Sequence, residues 1–179
     1  MAVQIGSPAP KFPEKTEAYL RSKDKFMEVS LSDYKGKWVC LYFYPMDFTF
    51  VCPTEIVAFD RALSEFQNRG CELLGASIDS KFVHRGWCEA NRELSGLKHP
   101  LLSDITKRIA MDYGVLLPEK GVALRGTFLI DPEGNIRWIN VNDLPVGRSI
   151  EEVLRVLDAL QTGELTGCNW HKGEAVLKV

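Results

Sequence analysis

Within about a dozen positions this chain changes the period of its apolar residues. Residues 38–44 (Trp-Val-Cys-Leu-Tyr-Phe-Tyr) run without a polar break, as a strand buried on both faces does. After a short loop, Ile56, Phe59, Leu63 and Phe66 recur at helical spacing. The junction predicts a strand over 38–44 and a helix over 53–69, stopped by Gly70, with Pro53 at its first position. The alternation then repeats. A strand over 71–78 leads to a helix near 81–94, and a short helix over 105–113 precedes a strand over 124–130. Asp131-Pro132-Glu133-Gly134-Asn135 turns that strand into another over 136–141. Ser149, with Glu152 three residues on, signals the start of a last long helix that Gly163 stops. Upstream, the first thirty-odd residues read as a loose arm and a short hairpin leading to Tyr34-Lys35-Gly36-Lys37. Such alternation implies an α/β sandwich, a central mixed sheet flanked by helices. With no repeat or linker visible, residues 1–179 read as one domain, 164–179 forming an extended C-terminal arm.

A net charge of −2 and a pI near 6.0 argue against nucleic acid or an anionic membrane as the main partner. Neither a membrane span nor a signal peptide is expected, since no apolar run is long enough and no charged-then-apolar leader is visible. The five cysteines are odd in number and widely spaced. That is unlike a secreted disulfide framework and predicts a reducing, cytoplasmic setting.

Cys52 stands at the pivot between the first buried strand and its helix. The unpaired N–H groups of a helix start and its dipole favour a negative charge there. They contribute about 2 kcal/mol at most, enough to bring an ordinary thiol only to about neutrality. A nearby cation is needed, and Arg125, opening an otherwise apolar strand, is the candidate, although alone it reads as a solvated strand end. Thr49 offers a hydroxyl and Pro45 a shield from water; read alone, one is a turn residue and the other a strand stop. Thioredoxin-type exchange wants Cys-x-x-Cys, and the residue three after Cys52 is Glu55. His84 and Cys88 share a helix face, but there is no second pair to complete a zinc site, and packing around Trp87 explains them. A Cys-His dyad using His84, His99 or His171 stays open. No phosphate loop or dinucleotide fingerprint occurs, so neither cofactor nor metal is expected. Cys40, Cys71 and Cys88 read as core fillers. Cys168, on the tail, is a candidate second thiol able to condense with a sulfenic acid.

The segment Tyr44-Pro45-Met46-Asp47-Phe48-Thr49-Phe50-Val51-Cys52-Pro53-Thr54-Glu55 resembles the peroxidatic motif of the two-cysteine peroxiredoxins of the alkyl hydroperoxide reductase C type. Companion segments match in order: Gly6-Ser7-Pro8-Ala9-Pro10, Ser77-Ile78-Asp79-Ser80, residues 125–131, and Val146-Gly147-Arg148-Ser149. The resemblance implies a thioredoxin-like fold and reduction of hydrogen peroxide or organic hydroperoxides. It makes Cys52 the peroxidatic nucleophile, Thr49 and Arg125 the groups that orient the peroxide, and Pro45 its shield. Glu55 and Arg148 support them, and Cys168 becomes the resolving thiol. A homodimer, assembled into a ring of five dimers in many relatives, and an external dithiol reductant complete the implied picture.

Two departures stand out. The family's resolving cysteine lies in Val-Cys-Pro four positions before a tail Trp, whereas Cys168 lies two before Trp170 and the usual place reads Leu165-Thr166-Gly167. Ser95-Gly96-Leu97-Lys98 stands where the family's Gly-Gly-Leu-Gly loop is found, and no Tyr-Phe helix follows the tail. The resemblance then implies an enzyme that resists inactivation by excess peroxide. A redox sensor or holdase chaperone is the competing reading, and the full set of Thr49, Cys52 and Arg125 favours turnover.

Overall fold

The computed structural model describes residues 3–13 and 15–178. The chain divides into two compact units, Met1–Arg148 and Ser149–Val179.

The first unit is built on a seven-stranded mixed sheet. Its strands are β1 (Thr16–Leu20), β2 (Lys25–Val29), β3 (Trp38–Phe43), β4 (Cys71–Ser77), β5 (Leu101–Ser103), β8 (Arg125–Ile130) and β9 (Ile136–Asn142). A separate small hairpin pairs β6 (Leu116–Leu117) with β7 (Val122–Ala123). Between the strands lie α1 (Cys52–Arg61), α2 (Leu63–Asn68), α3 (Lys81–Ala90) and α4 (Arg108–Asp112). The order across the sheet is β2-β1-β5-β4-β3-β8-β9. β3, β4 and β5 run parallel, and β8 lies antiparallel to β3 with Tyr42 opposite Thr127. This register matters for function, because the first residue of β8, Arg125, is thereby brought level with the carboxyl end of β3, where α1 begins.

β3 lies inside the sheet between β4 and β8, and Val39 through Phe43 are all buried. Phe43 meets Phe128 edge-on, while Tyr42 stacks on Phe59 of α1 with ring centroids 4.1 Å apart. Full burial of a ring such as Phe59 is worth roughly 1.5–3 kcal/mol, and its truncation to Ala about 3–5 kcal/mol. Aromatic packing on β3 therefore fixes α1.

Three sequence expectations differ in detail. The helix expected over 53–69 is two helices that meet at Ala62 (φ −87°, ψ 3°), and α1 starts at Cys52, so Pro53 is its second residue. No Gly or Pro marks the break, and Phe59 and Phe66 on either side of it are both buried, their rings 6.2 Å apart. The helix expected over 81–94 ends at Ala90, and the Asn91 side chain caps a separate turn over Arg92–Leu94.

In the second unit, α5 (Ile150–Thr162) has the expected cap: the Ser149 hydroxyl accepts from the Glu152 amide at 3.2 Å, and Gly163 ends the helix at φ +68°. The arm expected to be extended is instead folded back on itself. Leu177 donates to the Leu165 carbonyl at 2.8 Å, closing the segment into a loop. Inside it the Trp170 indole donates to the Glu174 carbonyl at 3.1 Å, and Arg155 of α5, paired with Glu152, donates to the Trp170 carbonyl at 3.2 Å. Buried aromatic and polar partners, absent from any local periodicity, order this tail.

Candidate active site

The strand-to-helix junction delivers Cys52 as the first residue of α1, with its side chain fully buried. Pro53 contributes no N–H, and Val51 gives the helix no side-chain cap. The antiparallel strand supplies a cation. Nη1 of Arg125 lies 3.5 Å from Sγ of Cys52.

Arg125 is held from two sides. Its Nε donates to the Leu144 carbonyl at 2.7 Å, and its Nη1 donates to Oε2 of Glu55 at 2.5 Å. Glu55, one turn beyond Cys52, is itself gripped by Arg148. The Arg148 Nε and backbone amide donate to Oε1 at 2.8 and 3.1 Å, and its Nη2 donates to Oε2 at 3.0 Å. Nη1 of Arg148 reaches the carbonyls of Phe43 and Gly126, both at 2.9 Å, and the Thr127 hydroxyl. All three charged side chains are buried. Buried charges persist when paired and hydrogen-bonded. Two guanidinium groups share one carboxylate, and Nη1 of Arg125 also contacts the sulfur of Cys52.

Thus Cys52, Arg125, Glu55 and Arg148 meet in one cluster. Thr49 is half-buried in the loop before α1, its hydroxyl donating to the Met46 carbonyl at 3.0 Å, and Pro45 is buried at the end of β3. The loop is anchored by a network the sequence did not reveal. Tyr44 donates to Asp47 at 2.8 Å, Nδ1 of His84 contacts the same carboxylate at 2.7 Å, and the Asp47 amide donates to Asp79 at 2.8 Å. The second nitrogen of His84 lies 3.1 Å from the Leu102 carbonyl, so this ring is committed to structure, not to a metal or to Cys52. His99 is equally committed, between Asp60 and Tyr42. Among the described residues no group of three or more His, Cys, Asp or Glu is placed to hold a metal ion. Burial pushes the thiols of Cys40 and Cys88 up to about 12 and that of Cys71 well above its ordinary value, as core fillers require. Cys168 is exposed on the folded tail.

Thr127 and Leu144 were not singled out by sequence. A hydroxyl in a buried strand and a main-chain carbonyl in a loop carry no signal until the register of β3 and β8 is known.

Residues 5–139 match the AhpC/TSA family. The Schizosaccharomyces pombe protein peroxiredoxin tpx1 is 51% identical over 180 residues, covering 97% of this chain and 92% of that one. The mitochondrial thioredoxin-dependent peroxide reductase of Drosophila melanogaster is 50% identical over 177 residues, 95% of this chain and 74% of that one. Among solved structures, the reduced 2-Cys peroxiredoxin of Plasmodium vivax superposes with a TM-score of 0.91 at 46% identity, covering 97% of this chain and 92% of that one.

Proposed function

We propose, for a chain that belongs to the AhpC/TSA family and is a thiol-dependent peroxidase, that Cys52 is the nucleophile that attacks the hydroperoxide. The observation that carries this reading is the 3.5 Å approach of Arg125 to the Cys52 sulfur at the start of α1. The thiolate is the reactive form of a cysteine, and the Arg125 guanidinium stands beside the sulfur that attacks. The sulfur attacks one peroxide oxygen, the O–O bond breaks, and the other oxygen leaves as alkoxide or hydroxide and takes a proton. The Arg125 guanidinium is the donor to the oxygens where charge develops, and the Thr49 hydroxyl, whose proton goes to the Met46 carbonyl, accepts from the hydroperoxide O–H. Pro45 excludes water. Glu55 and Arg148 act through Arg125, fixing its direction.

The product is a Cys52 sulfenic acid. Condensation with the Cys168 thiol releases water and leaves a disulfide. The buried sulfur is one residue into a helix, so the first turn of α1 opens before the two meet. An external dithiol protein, thioredoxin-like by the names of the relatives, reduces the disulfide by exchange. A homodimer supplying Cys168 across the interface, and its assembly into a ring of five dimers, is supported by the apolar surface around the site, where Phe48 and Phe50 are 60% and 94% exposed. The odd number and spacing of the cysteines support the cytoplasm as its setting.

Hydroperoxide consumption with thioredoxin as donor tests the scheme. Cys52→Ser abolishes turnover, and Cys168→Ser oxidises once and stalls as the sulfenic acid. Non-reducing gels of the oxidised wild type show a linked dimer. Full activity in Cys52→Ser would sink the assignment, and normal cycling in Cys168→Ser would remove Cys168 from it.

A further inference from the structure

We infer that Tyr42, His99 and Asp60 form a clasp that ties both ends of α1 to β3 and thereby sets how fast oxidised Cys52 reaches its disulfide. The inference rests on the reading of Cys52 given above. Its basis is a fully buried hydrogen-bonded chain that the chemistry leaves unused. His99 is 1% exposed, and both its ring nitrogens are engaged: Nδ1 lies 2.9 Å from Oδ1 of Asp60 and Nε2 lies 2.7 Å from the Tyr42 hydroxyl. A carboxylate only accepts, so Nδ1 carries the proton and Nε2 accepts from Tyr42. The Lys98 amide donates to the same Asp60 oxygen at 2.8 Å. The segment over residues 95–98 therefore runs straight into His99, and Lys98 and His99 together hold Asp60 of α1.

Tyr42 serves both ends of the helix. Its hydroxyl holds Asp60, near the helix's last residue, through His99. Its ring stacks on Phe59 and lies 5.2 Å from the guanidinium carbon of Arg148, which grips Glu55 in the first turn. Space for the hydroxyl is built into β4, because a Cβ on Gly75 would fall 2.6 Å from it. Burial holds the His99 imidazole below its ordinary value against the pull of Asp60, which favours the neutral ring this pattern needs. The titratable groups facing it are Asp60 and Tyr42, with Lys98 beside it in its own segment and Arg148 beyond the Tyr42 ring.

Local opening of a short helix costs the contacts that hold it. A sulfenic acid in a closed site has one competing fate: a second hydroperoxide converts it to sulfinic acid, itself reduced to alcohol or water. Slow opening favours that fate, and fast opening favours condensation with a thiol. The clasp sets the balance.

Rapid-quench mass spectrometry on the full-length protein tests this with Tyr42→Phe, which keeps the ring under Arg148 and deletes only the hydroxyl, and with His99→Asn. The disulfide-forming step should accelerate about three- to tenfold, the worth of a lost buried hydrogen bond, with the sulfinic fraction at fixed peroxide falling in proportion. The rate of the first oxidation should move by less than about twofold, since no group within reach of the peroxide changes. A purely structural lesion would slow or spare both steps together. An unchanged or slower disulfide step in Tyr42→Phe overturns the inference. If Cys52 of the wild type forms neither sulfenic acid nor disulfide, the reading of Cys52 itself fails.

Discussion

Replacing Glu55 by Gln removes one charge and almost no volume from the centre of the site. The carboxylate accepts four hydrogen bonds, one from Arg125 and three from Arg148. An amide oxygen can keep about two of them, while its NH2 group would face a guanidinium. Removing one partner of a buried ion pair costs about 3–5 kcal/mol, chiefly because the remaining charge is left unpaired. Here two cations lose their shared anion, so the upper part of that range applies. At roughly 2–4 °C per kcal/mol for a chain of this size, the melting temperature should fall by about 10–20 °C. The assay is thermal unfolding of the reduced protein at one fixed concentration, since assembly makes the midpoint concentration-dependent. Arg125 would lose its charged partner and keep the neutral Leu144 carbonyl and its approach to the Cys52 sulfur. Misplacement of a positioned donor costs on the order of ten- to a hundredfold in rate, so the first oxidation step should slow by that much. A melting shift under about 2 °C together with an unchanged oxidation rate would refute the view that Glu55 holds the two arginines in place.

Alkylation of the native reduced protein near pH 8 should label Cys168 and leave Cys40, Cys71 and Cys88 unmodified, because burial keeps those three as thiols; peptide mapping reads this directly. Stability should fall as pH drops through about 6.5, the unfolded value of histidine, because burial lowers the folded value of His99 and the folded state then binds fewer protons than the unfolded chain. Urea midpoints between pH 7.5 and pH 5 should show this slope in the wild type and a flatter one in His99→Asn. Burial raises the carboxyl of Asp60, but hydrogen bonds from His99 and the Lys98 amide outweigh it and hold it below its ordinary value. Its stabilisation is complete above about 3.9 and is lost only as pH falls through the lower folded value, outside that window. Ser149→Ala removes the cap of α5 and should cost about 1 kcal/mol, read from the urea midpoint. Gly75→Ala forces a Cβ to within 2.6 Å of the Tyr42 hydroxyl and should destabilise by about 1–3 kcal/mol in the same measurement.

What was legible in the sequence depended on the range of the interaction. The buried strand before Cys52 and the Ser149 cap are local patterns and fall where the period and the cap place them, while the helix after Cys52 begins one residue early and breaks at Ala62. Arg125 was legible because a charge at the head of an apolar strand needs a partner, although the partner's identity required the antiparallel register of β3 and β8. The roles of Glu55 and Arg148 entered through family resemblance alone, since nothing local relates two residues 93 positions apart. The break at Ala62 was invisible because no breaker residue stands there and the periodic apolar residues continue through it. His99 and Tyr42 lie 57 positions apart and meet only because β3, α1 and the segment before β5 converge. The order of the tail was missed for the same reason: its stabilising contacts are pairwise, not periodic.

Glu55 shares its helical turn with Cys52, yet its ties run to Arg125 in β8 and to Arg148. Lifting that turn to present the sulfur to another thiol also withdraws the carboxylate from both arginines. Among the described residues, Arg125 then keeps the Leu144 carbonyl, and the arrangement proposed to receive a peroxide is undone. In the proposed cycle the two halves are therefore interlocked: Glu55 holding Arg125 and a lifted first turn of α1 exclude one another. A turnover can reset the site for another peroxide only after the disulfide is reduced and Glu55 has returned, so re-formation of a single carboxylate bridge marks the enzyme as ready.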